Sequence, residues 1–173
     1  TNTTDSTWVS DLPLPNSPEG TKVYFKVYAV GSTGDTTETY KFMYDIEPID
    51  YCPSSGNMSW ATAITLVDID AIFNSTGKTQ PYTDYTTSDS IIVEIGSTHN
   101  LTVNVNTDGN YTVYARAWVN WNQDYDFSDA GEEYDLGSAV NTPDGPTDLS
   151  PLNITIPLTA ALGKTTMRVS AKY

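Results

Sequence analysis

The segment NWNQDYDFSDAGEE, residues 120–133, concentrates oxygen-bearing side chains in one short stretch. It holds two asparagines and five acidic residues. Carboxylates crowded into one turn repel one another, so without a counter-charge such a loop is strained or partly protonated. A calcium ion removes the repulsion, because Ca²⁺ takes roughly six to eight oxygen ligands at about 2.3–2.6 Å. The segment therefore predicts a calcium site.

The spacing of these side chains supports a metal, although it leaves the register open. Side chains at alternating positions of a tight turn can converge on one ion. Counting from Asn122 places Glu133 at position 12, where a helix-loop-helix calcium site has its bidentate Glu. Counting from Asn120 aligns the first three oxygen ligands instead, and a plain solvated acidic turn is the alternative to both. The predicted ligands are Asn120, Asn122, Asp124, Asp126, Asp129 and Glu132.

Residues for catalysis are scarce. His99 is the single histidine, and no Gly-x-Ser-x-Gly motif for a nucleophile accompanies it. The chain has no Cys/His cluster for zinc and no glycine-rich phosphate loop. We therefore expect a protein that is not an enzyme.

Aromatic residues near the acidic loop point to carbohydrate binding. Sugars offer hydroxyls to Asp, Asn and Thr, and apolar ring faces on which Trp or Tyr can stack. The alternative is that the rings fill the core, which we expect for Trp118, whereas Tyr125 is expected to be exposed. The predicted ligand-binding residues are Trp121, Tyr125, Trp60, Tyr82 and Tyr85.

Net charge narrows the class of partner. A formal charge of -14 and a pI near 4.1 argue against binding nucleic acid or an anionic membrane surface. The same charge repels sulfated or uronic-acid polymers, so a neutral glycan is the easier ligand. No apolar run approaches the roughly 18 residues of a membrane span, so we expect no membrane insertion. Arg116 and Arg168, the only arginines, are expected to have structural roles such as an ion pair.

Alternating apolar and polar residues predict the fold class. They favour strands at 64–69, 90–95, 100–105, 111–119, 153–158 and 165–173, after an N-terminal hairpin in TKVYFKVYAV and TETYKFMYDI. Turn signals such as TDGN and TPDGP separate the strands. This pattern predicts an all-β protein, an antiparallel β-sandwich of jelly-roll type with an N-terminal β-hairpin.

A domain boundary is expected near DIEPIDYCPSSGN, where two prolines flank a polar stretch. Residues 1–49 then hold a Pro-rich start and one hairpin, which alone is marginally stable in water. The hairpin either docks on the second sheet or ends an upstream domain. It resembles the closing hairpin of immunoglobulin and fibronectin type III modules.

Several motifs taken in order carry a more specific resemblance. They are YCPSSGN at 51–57, Asn-Ser-Thr-Gly at 74–77, YTDYT at 82–86, WVNWNQDYDFSDAGEE, LGSAV at 136–140 and GKTTMRVSAKY at 163–173. Together, over residues 50–173, they resemble the GEVED domain of exported bacterial multidomain proteins. The resemblance implies a secreted or cell-surface β-sandwich accessory module, linked covalently to a catalytic domain. On this basis we expect a calcium-stabilised module that binds a polysaccharide or oligosaccharide; the alternative is a structural spacer, protein-interaction or adhesion module without a sugar ligand.

The chain departs from the family pattern at two places. The loop pattern is closer to Asp-Trp-Asn-x-Asp-Gly-Asp-Phe, whereas this chain has Asn120 for the first acid and Tyr125 for the glycine. The Gly-Glu-Val-Glu-Asp strand that names the family, with a nearby cysteine, follows the Met-Arg-Val strand in other members but is absent here. The resemblance thus implies a disulfide partner for Cys52 outside these residues; a free, buried thiol is the alternative.

Overall fold

The computed structural model describes residues 22–30, 32–34, 36–45, 50–75 and 77–173. The chain divides into two units, Thr1–Asp50 and Tyr51–Tyr173. The described residues contain strands, turns and bends but no helix, and hence no helix that could cross a membrane. The predicted all-β class is confirmed.

The first unit contains an antiparallel hairpin. Its strands are β1 (Lys22–Val30) and β2 (Thr36–Asp45), joined across a turn that includes Gly34 with φ 85°. The predicted N-terminal hairpin is therefore present. The Pro-rich start of the chain lies outside the described residues, and the likeness to immunoglobulin and fibronectin modules stays a prediction.

The described residues of the second unit form eight strands, all paired antiparallel. The strands are β3 (Ala63–Ile69), β4 (Ile72–Asn74), β5 (Thr98–Asn106), β6 (Thr112–Val119), β7 (Glu133–Val140), β8 (Gly145–Pro146), β9 (Leu152–Thr155) and β10 (Met167–Lys172). One sheet has the order β10-β6-β7, and the other has the order β4-β3-β5-β8, with β9 also pairing with β5.

The core lies between the inward faces of the two sheets. Every second residue of β5 and of β6 is buried, as expected for strands with one solvated face. These side chains pack with Leu136 of β7, Ile154 of β9 and Ile69 of β3 in one cluster. From β5 and β6 the cluster contains Leu101, Val103, Val105, Val113, Ala115 and Ala117. The antiparallel sandwich is thereby confirmed, whereas its jelly-roll variant stays a prediction.

The structure corrects two strand assignments. Residues 90–95 form no strand, although SIIVEI reads as one. Ile91 packs against the core while Ile92 is fully exposed, so this extended segment has the alternation of a strand without a ladder partner. Conversely, β7 was not predicted, because Gly137 and Ser138 interrupt its apolar pattern.

A third correction concerns Trp118, which we expected in the core. Its neighbours Ala117 and Val119 are the buried residues of β6, and side chains alternate along a strand. Trp118 therefore points away from the core, on the solvent side of the β10-β6-β7 sheet. We call this side the outer face; on β6 it comprises Tyr114, Arg116 and Trp118.

Candidate metal-binding loop and its surroundings

The acidic loop is the connection between two neighbouring strands of one sheet. β6 ends at Val119 and β7 begins at Glu133, and the N–H of Val119 donates to the carbonyl of Glu132 at 3.0 Å. The N–H of Asn120 donates to the carbonyl of Thr166, just before β10. Both ends of the loop are therefore fixed to the three-stranded sheet.

Within the loop, side-chain oxygens bind the backbone two residues further on. The N–H of Asp124 donates to Oδ1 of Asn122 at 3.2 Å, and that of Asp126 donates to Oδ1 of Asp124 at 3.1 Å. The N–H of Ser128 donates to Oδ1 of Asp126 at 2.7 Å. Asn and Asp form such turns readily, because their short side chains reach the backbone two positions on. These successive turns explain the interval of two in the sequence.

The two residues that alternate with the acceptors Asn122, Asp124 and Asp126 have left-handed backbone conformations. Gln123 has φ 62° and Tyr125 has φ 71°. A non-glycine residue in this region costs roughly 1–2 kcal/mol, since its Cβ approaches the following carbonyl oxygen. The resemblance described above implies glycine at the position of Tyr125, and the left-handed backbone at this tyrosine is one that glycine adopts without strain.

Three aspartates form a carboxylate cluster, which we define as Asp124, Asp126 and Asp129. One oxygen from each lies within 4.8 Å of the others, and all three residues are exposed. Ligands on opposite sides of a calcium ion are about 5 Å apart, so this spacing is compatible with a shared ion. Nδ2 of Asn122 donates to Asp124 at 2.9 Å and to Asp129 at 2.6 Å, which places a donor amide beside the cluster.

Hydrogen bonds favour the ionised form of Asp126. The backbone N–H of Ser128 lowers the pKa of this carboxyl, and the Ser128 hydroxyl, 2.7 Å away, lowers it further. Burial does little against this, because Asp126 lies on the surface. One member of the cluster thus keeps its negative charge to a pH below the ordinary range for aspartate.

Glu132 is the buried acid of the loop, with only 2 % of its surface exposed. Its Oε1 accepts the backbone N–H of Trp121 at 2.6 Å, whereas Oε2 is buried and has no hydrogen-bond partner. Buried polar atoms without a partner are rare and mark places where a ligand, ion or water is expected. Glu132 lines a cavity of about 320 Å³ together with Asn122 and Asp129.

The side chain of Trp121, whose backbone N–H donates to Glu132, is held by a hydrogen bond and by core contacts. Its indole Nε1 donates to the Tyr134 hydroxyl at 2.9 Å, and its ring packs against the core. Burial raises the pKa of Tyr134, and the negative charge of Glu132 raises it further, against the opposing effect of the bond from Trp121. Trp121 is therefore half-buried, and its predicted role in sugar binding stays a prediction.

Asn120 builds the base of the loop. It is fully buried, its Oδ1 accepts the N–H of Asp124 at 3.2 Å, and its Nδ2 donates to the Tyr51 hydroxyl at 3.0 Å. The Thr165 hydroxyl donates to its carbonyl. Both ends of the side-chain amide are engaged within the protein, so Asn120 orients the predicted ligand Asp124. Direct ligation by Asn120 stays a prediction.

A group of rings that we call the aromatic cluster lies beside the loop: Tyr51, Tyr82, Tyr125 and Phe127. Tyr51 stacks on Phe127 with ring centroids 4.8 Å apart and contacts Tyr125 at 5.6 Å. The Arg168 guanidinium lies 5.1 Å from the Phe127 ring and 5.9 Å from the Tyr82 ring. Tyr125 and Tyr82 remain 46 % and 45 % exposed. The expected exposure of Tyr125 is confirmed.

The single thiol adjoins the aromatic cluster. Nη1 of Arg168 donates to Sγ of Cys52 at 3.2 Å, and Cys52 is exposed. The alternative of a buried thiol is therefore wrong, because Cys52 lies at the surface. A disulfide partner outside these residues stays a prediction.

The remaining predicted sugar-binding residues lie elsewhere. Trp60 is 59 % exposed. The adjacent Ala61 lines a cavity with Asn106 and Asp108, at the turn between β5 and β6. That turn precedes β6, whereas the acidic loop follows it, so Trp60 belongs to the opposite end of the sandwich. Tyr85 is half-buried, and its carbonyl accepts the N–H groups of Ser88 and Asp89 in a turn.

His99 takes part in a polar arrangement that sequence reasoning missed. Its Nε2 lies 2.6 Å from Ser97 Oγ, and its Nδ1 contacts Asp70. The order matches a hydrolytic triad. However, the Ser97 hydroxyl also donates to the carbonyl of Glu94 at 2.6 Å, and the N–H groups of Gly96 and Ser97 are taken by the carbonyls of Ile156 and Glu94. These two amides are thus committed to the turn rather than free to stabilise an oxyanion.

The sequence predicted the side-chain oxygens at every second position of the loop, but it did not predict which distant residues contact the loop and Arg168. Tyr51 lies 69 residues before Asn120, and Cys52 lies 116 residues before Arg168. No local pattern reports such separations. The sequence gives one sign that an acid is buried here, because Glu132 directly precedes β7. It does not tell whether Glu132 or Glu133 points inward.

Comparison with known proteins gives one family. None of the curated proteins and none of the solved structures matches this chain. The resemblance over residues 50–113 stays a prediction. Residues 114–173, which include the acidic loop, β7 and β10, match the family model of the GEVED domain, and the resemblance is confirmed over these residues.

Proposed function

We propose that the second unit is a non-catalytic accessory module, stabilised by Ca²⁺, of a secreted or cell-surface bacterial protein that also carries a catalytic domain. One observation carries the metal: the buried, unpaired Oε2 of Glu132, a residue that lines one cavity with Asp129 of the carboxylate cluster. An unpaired buried acid is costly, and a cation supplies the missing partner.

The donor set fits calcium better than a transition metal. All the side chains offered are carboxylates and amides, which are the ligands of hard cations, and neither His nor Cys belongs to the loop. Asn122 supplies a neutral ligand when its amide rotates by half a turn, which exchanges Nδ2 for Oδ1 beside Asp124 and Asp129. With Glu132 and the three aspartates, the chain then offers enough oxygens for a calcium shell completed by water.

Calorimetry tests the metal. After chelation, titration of Ca²⁺ into the protein is expected to release or absorb heat at one site and to raise the melting temperature. Asp124→Asn is expected to weaken binding at least tenfold, because it removes one charge from the cluster. Asp108→Asn is the matched control, since it makes the same change at the other end of the sandwich. The absence of heat and of a melting shift in the unaltered protein would reject the metal.

The aromatic cluster favours carbohydrate binding as the task of the module. Tyr125 and Tyr82 are nearly half exposed; Tyr125 belongs to the acidic loop itself, and Tyr82 lies beside the Arg168 guanidinium that also contacts Phe127 of the loop. Ring faces next to carboxylates and amides are suited to sugars. The competing proposal is a spacer or adhesion module in which the ion only stiffens the loop. A glycan array in Ca²⁺ and in chelator separates the two, since a spacer gives no signal in either.

A non-catalytic role is supported by the surroundings of His99. Ser97 has one hydroxyl proton, and the Glu94 carbonyl lies as near to it as the imidazole does. The arrangement therefore serves to fix the start of β5. Incubation with activated esters tests this assignment, because a hydrolase would lose turnover on Ser97→Ala.

A further inference from the structure

The outer face of the β10-β6-β7 sheet presents two aromatic rings in one row. Tyr114 and Trp118 alternate with buried residues of β6, so both point outward, with Arg116 between them. Tyr114 is 58 % exposed, and Trp118 is half-buried. The two rings are four positions apart along the strand, which is a distance of about 13 Å. The row is therefore longer than one sugar ring and suits an extended chain.

Cross-strand neighbours surround the row with polar groups. By register, Trp118 lies between Arg168 and Glu133, and Tyr114 lies between Lys172 and Ser138. Directly opposite residues of adjacent strands share a face of the sheet. Each ring of the row therefore has a basic residue on one side and a hydroxyl or carboxylate on the other.

Glu133 fixes the orientation of two members of the row. Its Oε1 pairs with the Arg116 guanidinium, and its Oε2 accepts the Trp118 indole N–H at 3.2 Å. Both Arg116 and Glu133 remain about half exposed, at 51 % and 48 % of their side chains. The pair thus holds the ring and still offers donors and acceptors to a ligand.

The charge on this face differs from that of the whole chain. From residue 51 onward the chain has few basic residues, and Arg116, Arg168 and Lys172 all lie on β6 and β10 at outward positions. Glu133 and Asp135 of β7 stand opposite them. The face is therefore close to neutral in a protein of formal charge -14. It offers no surplus charge to a polyanion, and the rest of the molecule repels one.

We propose that the outer face binds an extended, neutral polysaccharide. Sugar rings stack on Tyr114 and Trp118, and hydroxyls between them bond with Arg116, Glu133 and Asp135. The proposal rests on the carbohydrate-binding function proposed above, but it assigns the sugar to the outer face in place of the aromatic cluster and names a ligand class. A protein partner is disfavoured, because charged and hydroxyl side chains flank both rings.

Affinity electrophoresis of the full chain tests the proposal. The gels contain hydroxyethylcellulose, galactomannan or arabinoxylan as neutral polymers, and polygalacturonate as the anionic one. We expect retardation in at least one neutral gel, and at least a tenfold loss of affinity in Tyr114→Ala and in Trp118→Ala. Tyr111→Ala is the matched control: this tyrosine is also exposed, but it lies before β6 against Tyr173, and its variant is expected to bind normally.

The possible results separate this inference from the proposed function. Loss of binding in Tyr82→Ala and Tyr125→Ala, with Tyr114→Ala and Trp118→Ala unaffected, would overturn the outer face and support the aromatic cluster as the sugar site. Retardation by polygalacturonate alone would overturn the neutral ligand. If no gel retards the unaltered protein, carbohydrate binding itself fails, and this inference fails with it. Melting curves of each variant verify that it folds.

Discussion

Replacing Glu132 by Gln is the sharpest perturbation of the candidate metal site. The substitution keeps size and shape, and the Gln carbonyl can still accept the Trp121 N–H that Oε1 of Glu132 accepts at 2.6 Å. An NH2 group then stands where the unpaired Oε2 is buried. The variant therefore changes one charge and one ligand atom and leaves the packing around Tyr134 intact.

The expected effect has opposite signs with and without calcium. In chelator, Glu132→Gln removes a buried charge whose Oε2 has no partner but leaves a buried amide, so we expect stabilisation of about 1 kcal/mol. In calcium at 100-fold above its dissociation constant, the unaltered protein gains about 2.7 kcal/mol. The variant loses a ligand and most of that gain. For a unit of this size, 1 kcal/mol corresponds to a melting shift of roughly 3–5 °C.

Thermal melts of both proteins in chelator and in calcium measure the four values. The unaltered protein is expected to melt lower than the variant in chelator and higher in calcium, so the two orders cross. Glu133→Gln is the matched control, because Glu133 is the next residue, exposed, and paired with Arg116. An exposed pair contributes at most about 1 kcal/mol, and this variant should keep the full calcium shift. A variant at Glu132 that is less stable in chelator and still responds fully to calcium would refute the reasoning.

Three further predictions concern the same loop. Tyr125→Gly is expected to be more stable than Tyr125→Ala by about 1 kcal/mol in urea denaturation, because both lose the ring but only glycine relaxes at φ 71°; equal stabilities would contradict a left-handed residue. Ser128→Ala removes the hydroxyl that lowers the Asp126 pKa, so an NMR titration should show this carboxyl protonating at a higher pH than in the unaltered protein. A lowered pKa in the folded state adds stability that is complete above the ordinary value near 3.8 and is lost as the pH falls through the folded value. In Ser128→Ala the loss of stability in acid should therefore begin at a higher pH than in the unaltered protein. An unmoved curve of stability against pH would count against this explanation. Asn120→Ala leaves buried groups of the loop without partners and should cost about 1–3 kcal/mol, whereas a neutral effect would show that the amide does not hold the loop.

The alternation of apolar and polar residues predicted the strands whose own sequence has a regular inward and outward side. Alternation identified β5, β6 and β10, because each has one side that packs in or against the core and one side that points outward. The same rule failed at residues 90–95, where the pattern is present but no partner strand exists. It also missed β7, whose place is set by pairing with β6 rather than by its own residues.

The candidate site divides in the same way. The interval of two in the acidic loop was legible, since each turn involves residues two apart. The partners of Asn120 and Arg168 were not, because Tyr51 and Cys52 come from the far end of the unit. The role of Trp118 was assigned to the core on the strength of its apolar neighbours, whereas the phase of β6 turns it outward.

The position of β5 has a consequence for how the unit assembles. One part of this strand pairs with β3, and its first residues pair with β9, where Thr98 meets Thr155 across 57 positions of the sequence. Bringing two strands together across so many residues costs loop-closure entropy, and this pairing therefore forms slowly. During synthesis, β5 therefore waits with one edge bare until the region around Thr155 has left the ribosome, and a chain truncated before β9 should accumulate as an aggregation-prone intermediate rather than as a smaller folded domain.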